Sequence, residues 1–267
     1  TDAREGMRLG HKKVLDSIIQ DGLWDPYGDL HMGNCAETLA KEENYSREEQ
    51  DAFAVESYRR SMEAIKKGYF KNEIIPVQVP QRKGAPVIVD TDEEPGRGKP
   101  EKISKLKPAF ETGETITAAN ASSINDGAAA LVVMSIDTAT TYKIKPLCRI
   151  VAQASFAQEP LYFTTAPGEA ISKVLDKSGL SLEDIDLFEI NEAFSIVTLA
   201  AMRDHNIPHE KVNIYGGAVS MGHPIGASGA RILVTLISGL RQKKKKLGLA
   251  TLCIGGGEAA AVIVETV

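Results

Sequence analysis

Three short segments combine residue types that do acid–base and carbonyl chemistry. The first is Gly216-Gly217-Ala218-Val219-Ser220-Met221-Gly222-His223-Pro224-Ile225-Gly226. Pro224 suits the first position of a helix, and Ile232, Leu233, Leu236 and Leu240 follow at helical spacing. This predicts His223 at a helix N-terminus, where the positive end of the dipole disfavours the imidazolium and keeps the ring neutral. A neutral imidazole accepts a proton or hydrogen-bonds an oxyanion, and the glycines around it admit close approach of backbone or ligand. A structural histidine in a tight turn fits the same residues. The second segment is Leu252-Cys253-Ile254-Gly255-Gly256-Gly257. A strand ends there at a thiol that can serve as acid or base, and the glycine turn offers backbone N–H groups for an oxyanion hole. A buried cysteine ahead of a hairpin is the plainer account. The third is Ile190-Asn191-Glu192-Ala193-Phe194, polar groups at the C-terminal edge of a strand, where α/β proteins place ligands. Asn191 serves equally well as a helix N-cap.

The elements that must position these groups alternate. A strand at 146–154 is followed by a helix at 167–178 that stops at Gly179, and Ser181-Leu182-Glu183-Asp184 caps a short turn. A strand at 186–190 then meets a helix from about Glu192 to Arg203. A strand near 212–215 leads into the histidine turn and a helix over 224–240, and strands 248–254 and 259–266 close the chain. Alternation with a final hairpin implies an α/β fold, a mixed sheet with helices on its faces. Upstream, residues 7–20 have helical spacing, and Asp21–Asp29 is rich in turn formers. Ser46-Arg47-Glu48-Glu49 is a capping box opening a helix to about Lys67, with Gly68 as its C-cap. Short strands are expected within 73–90, a surface excursion over 91–107, a small-residue helix or turn at Asn125–Ala130 and a buried strand at Leu131–Met134.

Composition narrows the function. Net charge is −5 with pI near 5.6, so bulk electrostatics do not favour nucleic acid. The one basic run, Lys243–Lys246, reads as a solvated helix end. No apolar stretch reaches the ~20 residues of a membrane span. Three scattered cysteines, Cys35, Cys148 and Cys253, favour reduced thiols inside a cell over a disulfide framework. The histidines and cysteines do not cluster at zinc spacing, and neither a dinucleotide fingerprint nor a phosphate-binding loop is present. The chain opens at Thr1, and the first residues read as mid-domain sequence.

The three segments, in this order and spacing, resemble the thiolases. So do His31-Met32-Gly33, Ser46-Arg47-Glu48-Glu49-Gln50-Asp51, and the stretch from Thr115 through Ala118-Ala119-Asn120-Ala121-Ser122 to Asn125-Asp126-Gly127-Ala128-Ala129-Ala130. The resemblance implies a thiolase-like layered fold. Residues 1–124 would be the loop domain that binds coenzyme A, 125–145 the end of the N-terminal half and 146–267 the C-terminal half. It implies Claisen condensation of two acetyl-CoA to acetoacetyl-CoA and coenzyme A, or the reverse thiolysis, within lipid metabolism including the mevalonate pathway. The family nucleophile is a cysteine in an Asn-x-x-Cys-x-Ser context, which neither Cys35 nor Cys148 matches. It is expected in an N-terminal segment that this chain lacks, so the chain alone is expected to be inactive.

By the same resemblance His223 activates that nucleophile and binds the thioester oxygen, and Asn191 holds an oxyanion-hole water. Cys253 moves the α-proton of the second acyl-CoA, and Gly255 donates a backbone N–H to a second oxyanion hole. Coenzyme A would lie along Leu23, His31, Met32, Phe110, Ala118, Ser122, Ile124, Phe163 and Phe194, with Arg97 toward the nucleotide phosphate. Tyr58, Ala118, Ala119, Ala121 and Val219 resemble the potassium site of potassium-activated members. The resemblance also implies a homotetramer in the cytosol or mitochondrion. Glu258 departs from the small or apolar residue expected after the three glycines. Two alternatives stand beside this: a thiolase-like chain that binds acyl-CoA or lipid without turnover, and a ketoacyl synthase, which would carry His at the place of Asn191.

Overall fold

The computed structural model describes residues 13–110 and 113–267. Met7 and Leu9, part of the expected helix over 7–20, lie outside them. Of the rest, Val14, Leu15, Ile18 and Ile19 face solvent, and helical structure is confined to a short stretch ending in a π-turn at Ile19–Leu23. Among the described residues no apolar surface covers these side chains, so the amphipathic pattern has nothing there to drive a longer helix.

Two short strands, β1 (Trp24–Asp25) and β2 (Leu30–His31), pair antiparallel around a turn in which the buried Asp25 carboxylate accepts from Tyr27 N and Gly28 N. Helix α1 (Met32–Glu42) starts at once, because His31 Nδ1 accepts from Gly33 N at 3.0 Å and caps it. Helix α2 (Arg47–Lys67) has the predicted capping box between Ser46 and Glu49 and ends at Gly68 with φ of 71°. Strands β3 (Val77–Val79) and β4 (Val87–Val89) form an exposed hairpin. The following excursion is pinned down more firmly than its charge predicts. It contains helix α3 (Glu94–Arg97) and a 3₁₀ turn at Pro100–Lys105, and Pro95 and Ile103 are buried in it.

The strand expected at Leu131–Met134 does not form: Val132 is 86% exposed, and no described strand pairs with this segment. An apolar run becomes a strand only with a ladder to join, and none is beside it. Helix α4 (Ile136–Thr141) follows, capped by Ser135.

The remaining elements are β5 (Cys148–Ala157), α5 (Ala166–Ser178), β6 (Leu187–Ile190), α6 (Ser195–His205), α7 (Ala218–Met221), α8 (Ser228–Lys243), β7 (Leu247–Ile254) and β8 (Glu258–Thr266). The sheet order is β5-β8-β7-β6, with β6 and β7 parallel and the other pairs antiparallel. Side chains alternate across it. Phe188, Ile190, Leu249, Ala261 and Ile263 pack with Ile171 and Val174 of α5. Leu187, Ala250 and Val264 point the other way, onto Ile232, Leu236 and Leu240 of α8. This is the mixed α/β sheet, helix-covered on both faces, that the sequence implies. Each fully buried Leu or Ile contributes about 1.5–3 kcal/mol relative to exposure.

The expected strand at 212–215 is reduced to one bridge, Phe188 to Val212. Asn213 turns the chain with φ of 45°, and its side chain takes over the ladder: Oδ1 accepts from Ile190 N and Nδ2 donates to Ile190 O, both at 2.8 Å. Among the described residues no helix is long and apolar enough to cross a membrane.

Candidate active site

The end of β6 sets the first polar group. Asn191 N donates to Thr251 O of β7 at 3.0 Å, and the residue is 1% exposed. It is not a helix cap, because α6 begins at Ser195 with Phe194 as its N-cap. The amide is therefore free for another duty. Its Nδ2 lies 3.4 Å from His223 Nε2, and its Oδ1 is buried with no partner among the described residues.

His223 follows the short helix α7 and the left-handed Gly222, where φ is 91° and a Cβ would overlap Asn125. Its N donates to Ser123 O at 3.0 Å, which fastens it to the 118–124 segment. The expectation that Pro224 opens the helix is corrected. α8 starts at Ser228, and a separate turn intervenes in which Pro224 O accepts from Ala227 N and Ser228 N. The ring is neutral for a different reason from the one predicted. Burial, with Arg231 second, pushes its pKa down to about 4.

The tautomer follows from Ser228. Its hydroxyl donates to Pro224 O at 3.0 Å, so toward His223 Nδ1, 2.5 Å away, it is an acceptor. Nδ1 therefore carries the proton, and Nε2 presents its lone pair beside Asn191 Nδ2. This Nε2 is an available general base. A crevice of about 480 Å³ is lined by Asn125–Ala129, Pro224–Ala227 and Ala230, and none of Asn191, His223 and Cys253 lines it.

Cys253, the penultimate residue of β7, is 8% exposed, and burial pushes its thiol up to about 12. It is a protonated thiol near neutral pH and hence a proton donor. It belongs to an apolar cluster with Met32, Cys35, Phe163, Ala193 and Phe194, against which Phe110 and Ala121 pack. Gly255 is exposed in the turn after it, and a Cβ there would stand 3.4 Å from Met32 Cε. Gly256 and Gly257 have φ of 88° and 82°, which explains the glycine run. Glu258, the departure from an apolar residue, is exposed and pairs with Ile254 across the hairpin.

Most of the expected coenzyme A residues gather around that cluster. Met32, Phe163 and Phe194 are in it, Phe110 packs against it, and the His31 and Phe110 rings are 4.8 Å apart. Ser122 donates from both N and Oγ to Ala193 O, and Ala121 bridges to Phe194. Ile124 is exposed and bridges to His223, and Ala118 is exposed on the same segment. Leu23 is half-buried at the end of the π-turn, next to Gly22, which faces Ile225. Arg97 stands apart, its guanidinium held by Glu93 and Glu94.

Of the expected cation ligands, Tyr58 and Ala119 pack on Val219 together with Ala54 and Ile103. The carbonyls of Ala118, Ala119 and Ala121 receive no hydrogen bond among the described residues. Free carbonyls and a phenol oxygen are hard donors that suit an alkali cation. Among the described residues no His, Cys, Asp and Glu cluster could hold a metal. The sequence pattern assigns no role to Ser228, Ser57 or Asn213, and names Glu192 only as one polar group of the segment after β6.

Residues 1–137 match the model of the thiolase N-terminal domain and 144–266 that of the thiolase C-terminal domain. The chain belongs to the thiolase family. It is 50% identical over 261 residues to an acetyl-CoA acetyltransferase of Pseudomonas aeruginosa, covering 97% of this chain and 66% of that protein. The crystal structure of the Bacillus anthracis acetyl-CoA acetyltransferase superposes with TM-score 0.94 at 41% identity, covering 99% of this chain and 67% of that one. A thiolase of Ascaris suum solved in complex with coenzyme A gives TM-score 0.88 at 40% identity, covering 98% and 66%. The chain thus spans about two thirds of the length of the relatives it matches.

Proposed function

We propose that the chain is the greater part of an acetyl-CoA C-acetyltransferase of the potassium-activated type, completed by a nucleophilic cysteine from sequence N-terminal to Thr1. Residues 1–124 then form the coenzyme A loop domain, 125–145 the end of the N-terminal half and 146–267 the C-terminal half. The observation that carries the reading is the Asn191–His223 pair, with Nε2 left unprotonated by Ser228.

In the thiolytic direction, His223 Nε2 takes the proton of the cysteine thiol, and the thiolate attacks the keto carbonyl of acetoacetyl-CoA. The Asn191 amide and the Gly255 N–H would then donate to the oxygens that gain charge. The C–C bond breaks and the leaving enolate carbon takes the Cys253 proton, which releases acetyl-CoA. Coenzyme A thiol then returns a proton to Cys253 and attacks the acyl-cysteine. That gives a second acetyl-CoA and releases the cysteine thiolate, which takes its proton back from His223. A resting Cys253 thiol, protonated by burial, is the state this sequence requires. A potassium ion on Tyr58, Ala118, Ala119, Ala121 and Val219 would neutralise their oxygen dipoles and stiffen the 118–122 segment.

The test is thiolysis of acetoacetyl-CoA by the protein with its preceding sequence. Turnover with an acyl-cysteine intermediate supports the reading. Coenzyme A binding without any acyl-enzyme would make the protein a binder and overturn it. The 267-residue chain alone is expected to show no burst of acylation at Cys35 or Cys148.

A further inference from the structure

We propose that Glu192 is a positioning residue that fixes the Gly217–Gly222 segment to α2 and so holds His223 against Asn191, an inference that rests on the roles proposed above. The carboxylate is 1% exposed and gathers donors from three separate parts of the chain. Ser57 Oγ of α2 donates to it at 2.7 Å, Asn213 Nδ2 at 2.8 Å and Val219 N at 3.1 Å. The Ser57 oxygen in turn accepts from Gly217 N at 3.1 Å and stands 3.0 Å from Ser220 Oγ.

Two glycines make this approach possible. A Cβ at Gly217 would overlap the Glu192 carboxyl, and one at Gly216 would come 2.6 Å from Ser57 O. The carboxylate lies one residue after Asn191, and its partner Val219 lies four residues before His223. One group therefore fixes both members of the pair from opposite sides. A buried polar network satisfied in this way has a single low-energy arrangement.

Glutamine cannot reproduce it. Asn213 is unable to flip its amide, because its Oδ1 already accepts from Ile190 N. Whichever way a glutamine turned, its NH₂ would face either Asn213 Nδ2 or Val219 N–H, donor against donor. Aspartate, one methylene shorter, would not span the three donors.

The test compares wild type, Glu192→Gln and Ser57→Ala in the full-length protein, at a temperature where each is folded. For Glu192→Gln, kcat for thiolysis should fall about 10–100-fold while KM changes less than about 3-fold, the mark of a misplaced group. The acidic limb of the kcat/KM profile should move to higher pH as the His223 ring loosens, and the His223 ring nitrogen resonances should shift. Ser57→Ala removes one donor and should give the same split to a smaller degree, which keeps the test open if Glu192→Gln does not fold. Wild-type kcat, pH profile and His223 resonances in both variants would overturn the inference, even if the melting temperature fell. An inactive wild type would instead overturn the proposed function, and the resonances alone would then decide the positioning.

Discussion

Nδ1 of His223 lies 2.5 Å from the Ser228 hydroxyl oxygen, and that hydroxyl spends its only proton on Pro224 O. One serine thereby settles which nitrogen of the ring is basic. Ser228→Ala should let the imidazole sample both tautomers and swing away from Asn191. We expect kcat to fall about 10-fold or more, since a positioned general base is worth about 10²–10⁴-fold and its orientation only part of that. Ser228→Thr should recover most of the loss. Steady-state thiolysis of the three proteins reads this out, and equal rates would remove Ser228 from the account.

The same ring predicts a pH dependence of stability. Its folded pKa is about 4 against 6.5 for the free side chain. Below 6.5 the unfolded chain takes up a proton that the folded chain refuses, so the histidine's contribution declines as pH falls from 6.5 to about 4. It is fully retained above 6.5, and the loss is at most about 3 kcal/mol. Urea denaturation of wild type and His223→Gln between pH 4 and 7 should show the steeper acid loss in wild type. Parallel curves would contradict the assignment.

How much of this was legible beforehand depended on the range of the interactions involved. The α2 capping box, the Gly68 and Gly179 stops and the final hairpin are local devices, and they stand where the spacing puts them. Leu131–Met134 failed because an apolar run does not reveal whether a ladder is available to it. The strand at 212–215 failed because Asn213 replaces backbone pairing with its amide, which no periodicity encodes. At the site, residue identity gave His223, Asn191 and Cys253 as candidates. Their electrostatics came from burial and from partners far away in the chain, such as Ser57, 135 residues before Glu192.

Potassium provides a separate prediction. In the full-length protein, K⁺ should raise thiolysis and slow amide hydrogen exchange over 118–122, because the carbonyls of Ala118, Ala119 and Ala121 have no internal donors among the described residues. Tyr58→Phe should weaken the response. Equal rates and equal exchange in sodium and potassium buffers would count against the site.

In the proposed mechanism His223 serves acylation and Cys253 serves proton transfer at the second acyl-CoA. Single-turnover acylation of the full-length protein, followed by a chase with acetyl-CoA or coenzyme A, measures both steps separately. Cys253→Ser should accept an acetyl group from acetyl-CoA at close to the wild-type rate and then lose about 10²–10⁴-fold in condensation, whereas His223→Ala should lose the acylation step itself. A Cys253→Ser protein that acylates and condenses at the wild-type rate would contradict the account.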